Sequence, residues 1–511
     1  MANARVNWAE NMLLSHGVAK SSTKAVICCT EEDPEKSEEE KLGSTLLKSL
    51  TFEELYQEVA EAAAGLRRLG VGPGDTVAAY TPNNAEAIVM VLATSSLGAI
   101  WTSSPPEFGV TGVLDRFSQL RPKVLLSADY YRAAGKVFSV LSKLSEITCG
   151  LKEHGLETVI LVGQLSRDRR PQDTLPNFDG VISLAYPDFL DSSANEIDFW
   201  RGPGNAPLWV LYSSGTTGKP KAIIHNSLGM VFAMKMTGKL HNSAGAPLPS
   251  AIYAYVRNYI KHVFIHNGSG GTDVCASFMG GCTVLPIYAG VIQVPYLGFA
   301  IEAAGEDGQK LTEGLGDLVI ARPAPNMPLG LVGDDKEKTK FRETYFNHYS
   351  SRCIWYHADY VEIDKHGGII MHGRSDGVLN PQGVRFGSAE LYSVIEQFTE
   401  INDCIAIGQK TPDGDERVVL FVKMRPPRHL DADVIDRIKR LISTNLSRRH
   451  VPAKILECPD IPYTATAKRV EVAVKKLVNG ADVRSLNTNG LANPESLDFF
   501  CDHPELRFSD A

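Results

Sequence analysis

One feature limits the folds open to this chain more than any other: strand-like and helix-like segments alternate through its first third. "TFEELYQEVAEAAAGLRRLG" (Thr51 to Gly70) places Leu55, Val59, Ala62, Leu66 and Leu69 at helical spacing. Thr51 and Glu54 fit a capping box at its start, and Gly70 suits its end. A short strand follows at Val77–Tyr80, then a helix from about Asn84 to Leu97, then a strand at Ala99–Trp101. Further apolar strands are expected at Val124–Leu126 and Thr158–Val162. Strands separated by helices in this way predict a parallel sheet covered on both faces. The fold class expected is therefore α/β.

With 511 residues the chain has room for two or more cores. A second region begins near "GRSDGVLNPQGVRFGSAE" (Gly373 to Glu390). It continues through a strand ending in "VVLFVKM" (Val418 to Met424) and a basic helix around Ile435–Leu446. "RPPRH" (Arg425 to His429) reads as a turn inside this smaller region. The expected division is 1–373 for the large part and 374–511 for a small α+β part. "TEEDPEKSEEEKLG" (Thr30 to Gly43) reads as a charged surface insertion.

The net charge of −8 argues against nucleic acid or an anionic membrane as the main partner. The 9 cysteines include no C-x-x-C pair, which fits reduced thiols and a cytosolic protein. No apolar run reaches membrane-spanning length, and residues 1–20 lack a basic start followed by an apolar stretch, so no membrane insertion is expected.

"LYSSGTTGKPKAIIHN" (Leu211 to Asn226) carries the clearest chemical signal. Its glycines let backbone N–H groups approach a ligand, and its hydroxyls and lysines complement phosphate charge. The spacing departs from the usual P-loop: only Thr216 and Thr217 separate Gly215 from Gly218, and Lys219 is followed by Pro220. It is a phosphate loop of another kind.

Taken with three later stretches, this loop resembles that of the adenylate-forming superfamily: acyl-CoA synthetases, luciferases and peptide-synthetase adenylation domains. "HADY" (His357 to Tyr360) is similar to the ribose-binding motif, "GRSDGVLNPQGVRFGSAE" to the hinge motif, and "PYTATAKRVEVAVKK" (Pro462 to Lys476) to the carboxy-terminal lysine loop. The resemblance implies a large multi-layer domain with mostly parallel sheets and a small mobile domain. It implies attack of a carboxylate on the α-phosphorus of ATP, release of pyrophosphate, and thioester formation with CoA after the small domain rotates.

The same resemblance assigns residues. Ser213, Ser214, Gly215, Thr216, Thr217, Gly218 and Lys221 would hold the β- and γ-phosphates, and Gly245, Ala246 and Pro247 of "SAGAPL" would lie on the adenine side. Asp359 would accept from the ribose hydroxyls. Arg374 and Arg385 would contact ribose and phosphate, and Asp376 would be the hinge. Lys468 would reach the α-phosphate and the attacking carboxylate, with Ala467 standing where the superfamily usually has Gly.

In "HNGSGGTD" (His266 to Asp273), Gly271 and Thr272 would meet the α-phosphate, and Asp273 would help to hold Mg²⁺. Ser269 and Gly270 stand where acetate-activating relatives carry bulky tryptophans, so a longer acid is expected. This run, with "SPPEFGVTGVLDRFSQLRPK" (Ser104 to Lys123), is most similar to the branch that activates acetoacetate. Acetate or another short or medium acid is the alternative substrate, and a relative that binds nucleotide without catalysis is the alternative function.

Two departures from the superfamily stand out. The chain opens almost directly at "RVNWAENML" (Arg5 to Leu13), where relatives have a longer segment. Only 52 positions separate Lys221 from Asp273 (273 − 221), which predicts a missing strand and helix near 230–240 and exposed apolar edges beside the gap.

Overall fold

The structure is a computed structural model, and it describes residues 4–14, 22–31, 46–133, 135–163, 175–213, 220–237, 250–260, 267–381, 386–412, 415–464, 467–486, 488 and 490–508. The first alternating elements appear where the periodicity places them. Helix α1 (Phe52–Arg68) starts on a complete capping box: Thr51 Oγ1 accepts from the Glu54 backbone, and Glu54 accepts from the Thr51 N–H. Its Leu55, Val59, Ala62 and Leu66 are buried. Strand β1 (Thr76–Tyr80) and helix α2 (Ala85–Ser96) follow, the helix capped by the Asn84 side chain on the Ala87 N–H. Next come β2 (Ile100–Ser104), α3 (Val110–Phe117), β3 (Val124–Ala128), α4 (Leu141–Lys152), β4 (Thr158–Val162) and β5 (Ile182–Ala185).

Among the described residues, eight strands form the largest sheet, in the order β5-β4-β3-β1-β2-β6-β7-β12. Here β6 is Pro207–Ser213, β7 is Lys221–Asn226 and β12 is Gly330–Leu331. Pairing is parallel from β5 to β6 and antiparallel at β6–β7 and β7–β12. One face packs on α1 and α2, with Val59, Val77, Val89 and Leu126 in one cluster. The other packs on α3 and α4, with Tyr80, Phe117, Leu125 and Leu144 in another. Strands β1, β3 and β4 are buried along their whole length, which is why they read as predominantly apolar runs.

The expectation of mostly parallel sheets holds for this sheet; the smaller ones are antiparallel or mixed. Strands β8 (Ser269–Gly271) and β9 (Ala276–Gly280) pair antiparallel. Strands β10 (Ile301–Ala304), β11 (Gly314–Ile320), β13 (Trp355–Ile363) and β14 (Ile369–Arg374) form an antiparallel sheet with Lys310–Leu311 on its outer edge. Between β7 and β8 the described residues hold α5 (Ser227–Thr237), a short helix at Ser250–Tyr255 and a wide turn at Val256–Ile260, and no strand. Tyr259 in this turn is 78% exposed, and further along the chain Val284 is 86% and Leu297 87% exposed.

After Arg374 the chain builds cores of its own. Helix α7 (Ser388–Ile395), strands β15 (Ile401–Lys410) and β16 (Glu416–Met424), and helix α8 (Ala432–Asn445) bury Phe386, Leu391, Leu420 and Ile438 together. Strand β17 (Lys454–Glu457) adds parallel to β16, and α9 (Glu471–Val478) closes the other face of this sheet with Phe421, Val474 and Phe500.

Candidate functional site

The β6–β7 hairpin carries the phosphate-loop sequence. Ser213 pairs with Lys221 in antiparallel register, so the two residues that flank this sequence are neighbours at the end of paired strands in the main sheet. Ser214, Gly215, Thr216, Thr217 and Gly218 lie outside the described residues, as do Gly245, Ala246, Pro247 and Arg385. Lys221, the first residue past the loop, has its Nζ 4.0 Å from Asp273 Oδ1 and 5.3 Å from the centre of the Tyr345 ring.

Asp273 sits in a tight turn. The Val274 and Cys275 N–H groups return to the carbonyls of Gly271 and Thr272, and Cys275 takes a φ of 49° to close it. The Tyr345 hydroxyl donates to Asp273 Oδ1. Burial, and then the Asp273 charge, push the Tyr345 phenol far above its ordinary pKa, so it stays a donor. Tyr345 ends helix α6 (Thr339–Tyr345) and stacks on Trp355 with ring centres 3.8 Å apart. Thr272 is exposed at the turn's crest.

Strand β13 bends at the "HADY" motif. Tyr356 faces Val319 and Tyr360 faces Asp317, so three residues on β13 stand against one on β11. Ala358 takes a φ of 62° inside this bulge, a left-handed conformation rare for a residue with a Cβ. The bulge turns His357 inward. Trp355 Nε1 donates to its Nδ1 at 3.2 Å, which leaves the neutral ring's proton on Nε2, 3.6 Å from Asp359 Oδ2. Burial lowers the His357 pKa; Asp359 and Asp273 pull the other way without prevailing.

Asp359 pairs in register with Arg374 across β13–β14, and Arg374 Nη1 lies 3.4 Å from Asp359 Oδ1 and donates to the His357 carbonyl at 3.2 Å. Neither contact to the Asp359 carboxylate is short, so its oxygens keep lone pairs to offer a hydroxyl-bearing ligand.

Gly271 joins the two halves of this arrangement. A Cβ there would stand 2.9 Å from His357 Cε1 and Nε2, so the backbone of the 271–273 turn lies directly on the imidazole. Gly270 has a different constraint: a Cβ would come within 2.3 Å of the Ala276 carbonyl oxygen. Close strand pairing alone therefore requires glycine at 270. His225, on β7, is fully buried, and burial lowers its pKa to about 4.

Lys221, Gly271, Thr272, Asp273, Asp359 and Arg374 are thus gathered around one surface. Lys468 lies in the carboxy-terminal region, exposed, in a turn where Thr464 N–H donates to the Lys468 carbonyl at 2.8 Å and Lys468 N–H to Thr464 Oγ1 at 3.1 Å. Ala467 takes a φ of 57° in that turn, the conformation for which glycine is suited. Ser375, just before Asp376, donates to Asp317 Oδ1 at 2.6 Å.

Sequence reasoning passed over Tyr345, Trp355 and His357 as site residues. The one signal was the aromatic crowding of "YFNHYSSRCIWYHADY" (Tyr345 to Tyr360), which reads equally well as core.

Residues 30–287 match the family described as AMP-binding enzyme. The acetoacetyl-CoA synthetase of Rattus norvegicus is 36% identical over 600 aligned positions, covering 99% of this chain and 85% of that protein. The acetoacetyl-CoA synthetase of Xenopus tropicalis is 34% identical over 596 positions, covering 99% and 86%. The solved acetoacetyl-CoA synthetase of Streptomyces lividans superposes with a TM-score of 0.83 at 30% identity, covering 97% of this chain and 86% of that one. This chain belongs to the AMP-binding enzymes and, within them, to the acetoacetyl-CoA synthetase family.

Proposed function

We propose that this protein is an AMP-forming acid–thiol ligase that converts acetoacetate, ATP and CoA to acetoacetyl-CoA, AMP and pyrophosphate. The observation that carries the reading is the convergence of the Gly271–Asp273 turn, Lys221 and the Asp359–Arg374 pair on one surface at the tip of the β6–β7 hairpin. A carboxylate oxygen of acetoacetate attacks the α-phosphorus, and the bond to the pyrophosphate leaving group breaks. The CoA thiol then attacks the acyl carbon, forming the thioester and expelling AMP.

Each residue has a part in this reading. Residues 213–218 and Lys221 hold the β- and γ-phosphates, and Gly245, Ala246 and Pro247 flank the adenine. Asp359 accepts from the ribose hydroxyls, with Arg374 and Arg385 beside it. Gly271 and Thr272 meet the α-phosphate, and Lys468 neutralises the charge that gathers during attack, where a preorganised cation acts most strongly. Ser269 and Gly270 border the acyl group. The large part, 1–373, and the small part, 374–511, turn about Asp376 between the half-reactions.

Asp273 offers an oxygen ligand of the kind that Mg²⁺ takes. Bound there, the ion would offset the triphosphate charge. A cytosolic setting accords with nine unpaired cysteines; separately, no helix among the described residues is long and apolar enough to cross a membrane.

The test is pyrophosphate release by the purified protein with acetoacetate, acetate and butyrate in parallel, with and without CoA. Acetoacetate should give the highest kcat/KM, and thioester should form only when CoA is present. Preference for acetate or butyrate would replace the substrate, and no release with any acid would reduce the protein to a nucleotide binder.

A further inference from the structure

The turn that carries Lys468 is closed by a single carboxylate from elsewhere in the chain. Arg469, the residue after the lysine, donates through Nε to Asp403 Oδ1 at 3.0 Å and through Nη2 to the same oxygen. Tyr463, at the other end of the turn, donates its hydroxyl to Asp403 Oδ2. The backbones of Tyr463 and Arg469 form a bridge below the loop. Asp403 stands near the start of β15, some sixty positions away in sequence, and its side chain is only 16% exposed.

The surroundings stiffen this clasp. The Arg469 guanidinium lies 4.2 Å above the Tyr392 ring, and the Tyr392 hydroxyl donates to Glu471 Oε1, which also accepts from Ser388 Oγ at 2.8 Å. The Tyr392 oxygen in turn accepts from the Ala406 N–H at 3.1 Å. Among the described residues the Lys468 side chain takes no part in this network. The charge at 469 is neutralised where it sits, and the charge at 468 is left outside at the crest of the turn.

We propose that Asp403 is a positioning residue for adenylation: by binding Arg469 and Tyr463 together, it sets where the Lys468 amine stands when the small part closes on the nucleotide. This rests on the reading of Lys468 given above. A tightly clasped loop makes sense for a lysine that must reach one phosphorus from a part of the protein that moves, since a small misplacement of a charged group forfeits much of its effect.

The experiment measures the two half-reactions separately in the full chain: acetoacetate-dependent pyrophosphate release from ATP, and transfer to CoA from acetoacetyl-adenylate supplied ready-made. The variants are Asp403→Asn, Tyr463→Phe and Lys468→Ala, each followed by thermal unfolding. Asp403→Asn, which keeps the shape and loses the charge, should slow the first half-reaction by ten- to a hundredfold while transfer to CoA stays within about twofold. Tyr463→Phe removes one limb of the clasp and should give a smaller loss confined to the same half-reaction.

Equal losses in both half-reactions, or an unchanged first half-reaction with Lys468→Ala impaired, would overturn the positioning role. If Lys468→Ala itself leaves adenylation unchanged, the assignment of the lysine fails, and a loss in Asp403→Asn would then count against positioning as well. Should Asp403→Asn lower the melting temperature steeply, Tyr463→Phe decides by the same split.

Discussion

The Ser375 hydroxyl donates to Asp317 at 2.6 Å, tying the residue before Asp376 to strand β11 of the large part. Asp317 is held in turn by the Tyr349 hydroxyl at 2.8 Å. On the far side of Asp376, a Cβ on Gly377 would stand 2.7 Å from Glu471 Oε2, so the chain there lies against the first turn of α9, just past the lysine turn. Asp376, the pivot proposed above, thus stands between a residue tied to strand β11 and a residue packed on helix α9.

Ser375→Ala removes one donor from a well-buried carboxylate and should reduce stability by about 1 kcal/mol. The larger effect is expected in the coupled reaction. Single-turnover formation of acetoacetyl-CoA from ATP should slow more than either half-reaction measured alone, because the pivot is no longer fixed. Equal slowing of all three rates would show that the Ser375–Asp317 bond serves stability only.

Lys468→Ala should reduce the first half-reaction by roughly 3 kcal/mol, about two orders of magnitude in rate. The dissociation constant of ATP should change only a few-fold, since Asp359 and Lys221 belong to other elements, strands β13 and β7. Calorimetric titration with ATP beside a pyrophosphate assay separates the two. A large loss of ATP affinity would show that the lysine binds the ground state as strongly as the transition state.

Two adjacent glycines should fail in different ways. Gly270→Ala drives a methyl group into the Ala276 carbonyl, backbone that cannot give way, and should cost about 1–3 kcal/mol of stability. Gly271→Ala presses on His357, which Trp355 and Phe278 hold in place, and should lower ATP affinity more than melting temperature. Thermal unfolding and nucleotide titration of both variants check this. Matching profiles would mean that the two glycines share one structural role.

His372 bridges strands β13 and β14 to helix α7. It lies on β14, with Nε2 3.0 Å from Glu362 and Nδ1 3.3 Å from Glu390 of α7, which His450 also approaches at 3.2 Å. Burial works against its charge, but the hydrogen bonds and charges of Glu390 and Glu362 outweigh it and raise its pKa above the ordinary 6.5. A raised pKa means that the folded state holds the proton more tightly than the unfolded chain. The stabilisation is full below the unfolded pKa of about 6.5 and is lost as pH rises through the folded value. The melting-temperature difference between the wild type and His372→Gln should therefore be largest in mildly acidic buffer and shrink with rising pH. A pH-independent difference would show that the ring contributes by packing alone.

Much of this architecture is legible in the sequence because it is local. The Thr51–Glu54 capping box, the apolar spacing of α1 and the predominantly apolar runs of β1, β3 and β4 are written in consecutive residues, and the structure forms them there. The motif positions of Lys221, Asp273, Asp359 and Arg374 are legible for the same reason. Other features arise only when distant segments meet. The left-handed turn at Ala358 exists because β13 must bulge against β11, and nothing in "HADY" announces it. Glycine at 270 looks like room for a substrate, yet it is required by the Ala276 carbonyl of the paired strand. The Asp403 clasp joins residues some sixty positions apart, and an aspartate in a strand gives no sign of which arginine it will meet. Local propensity and side-chain chemistry are properties of neighbours in the chain. Register, close approach and ion pairing are properties of neighbours in space, and only tertiary packing chooses those.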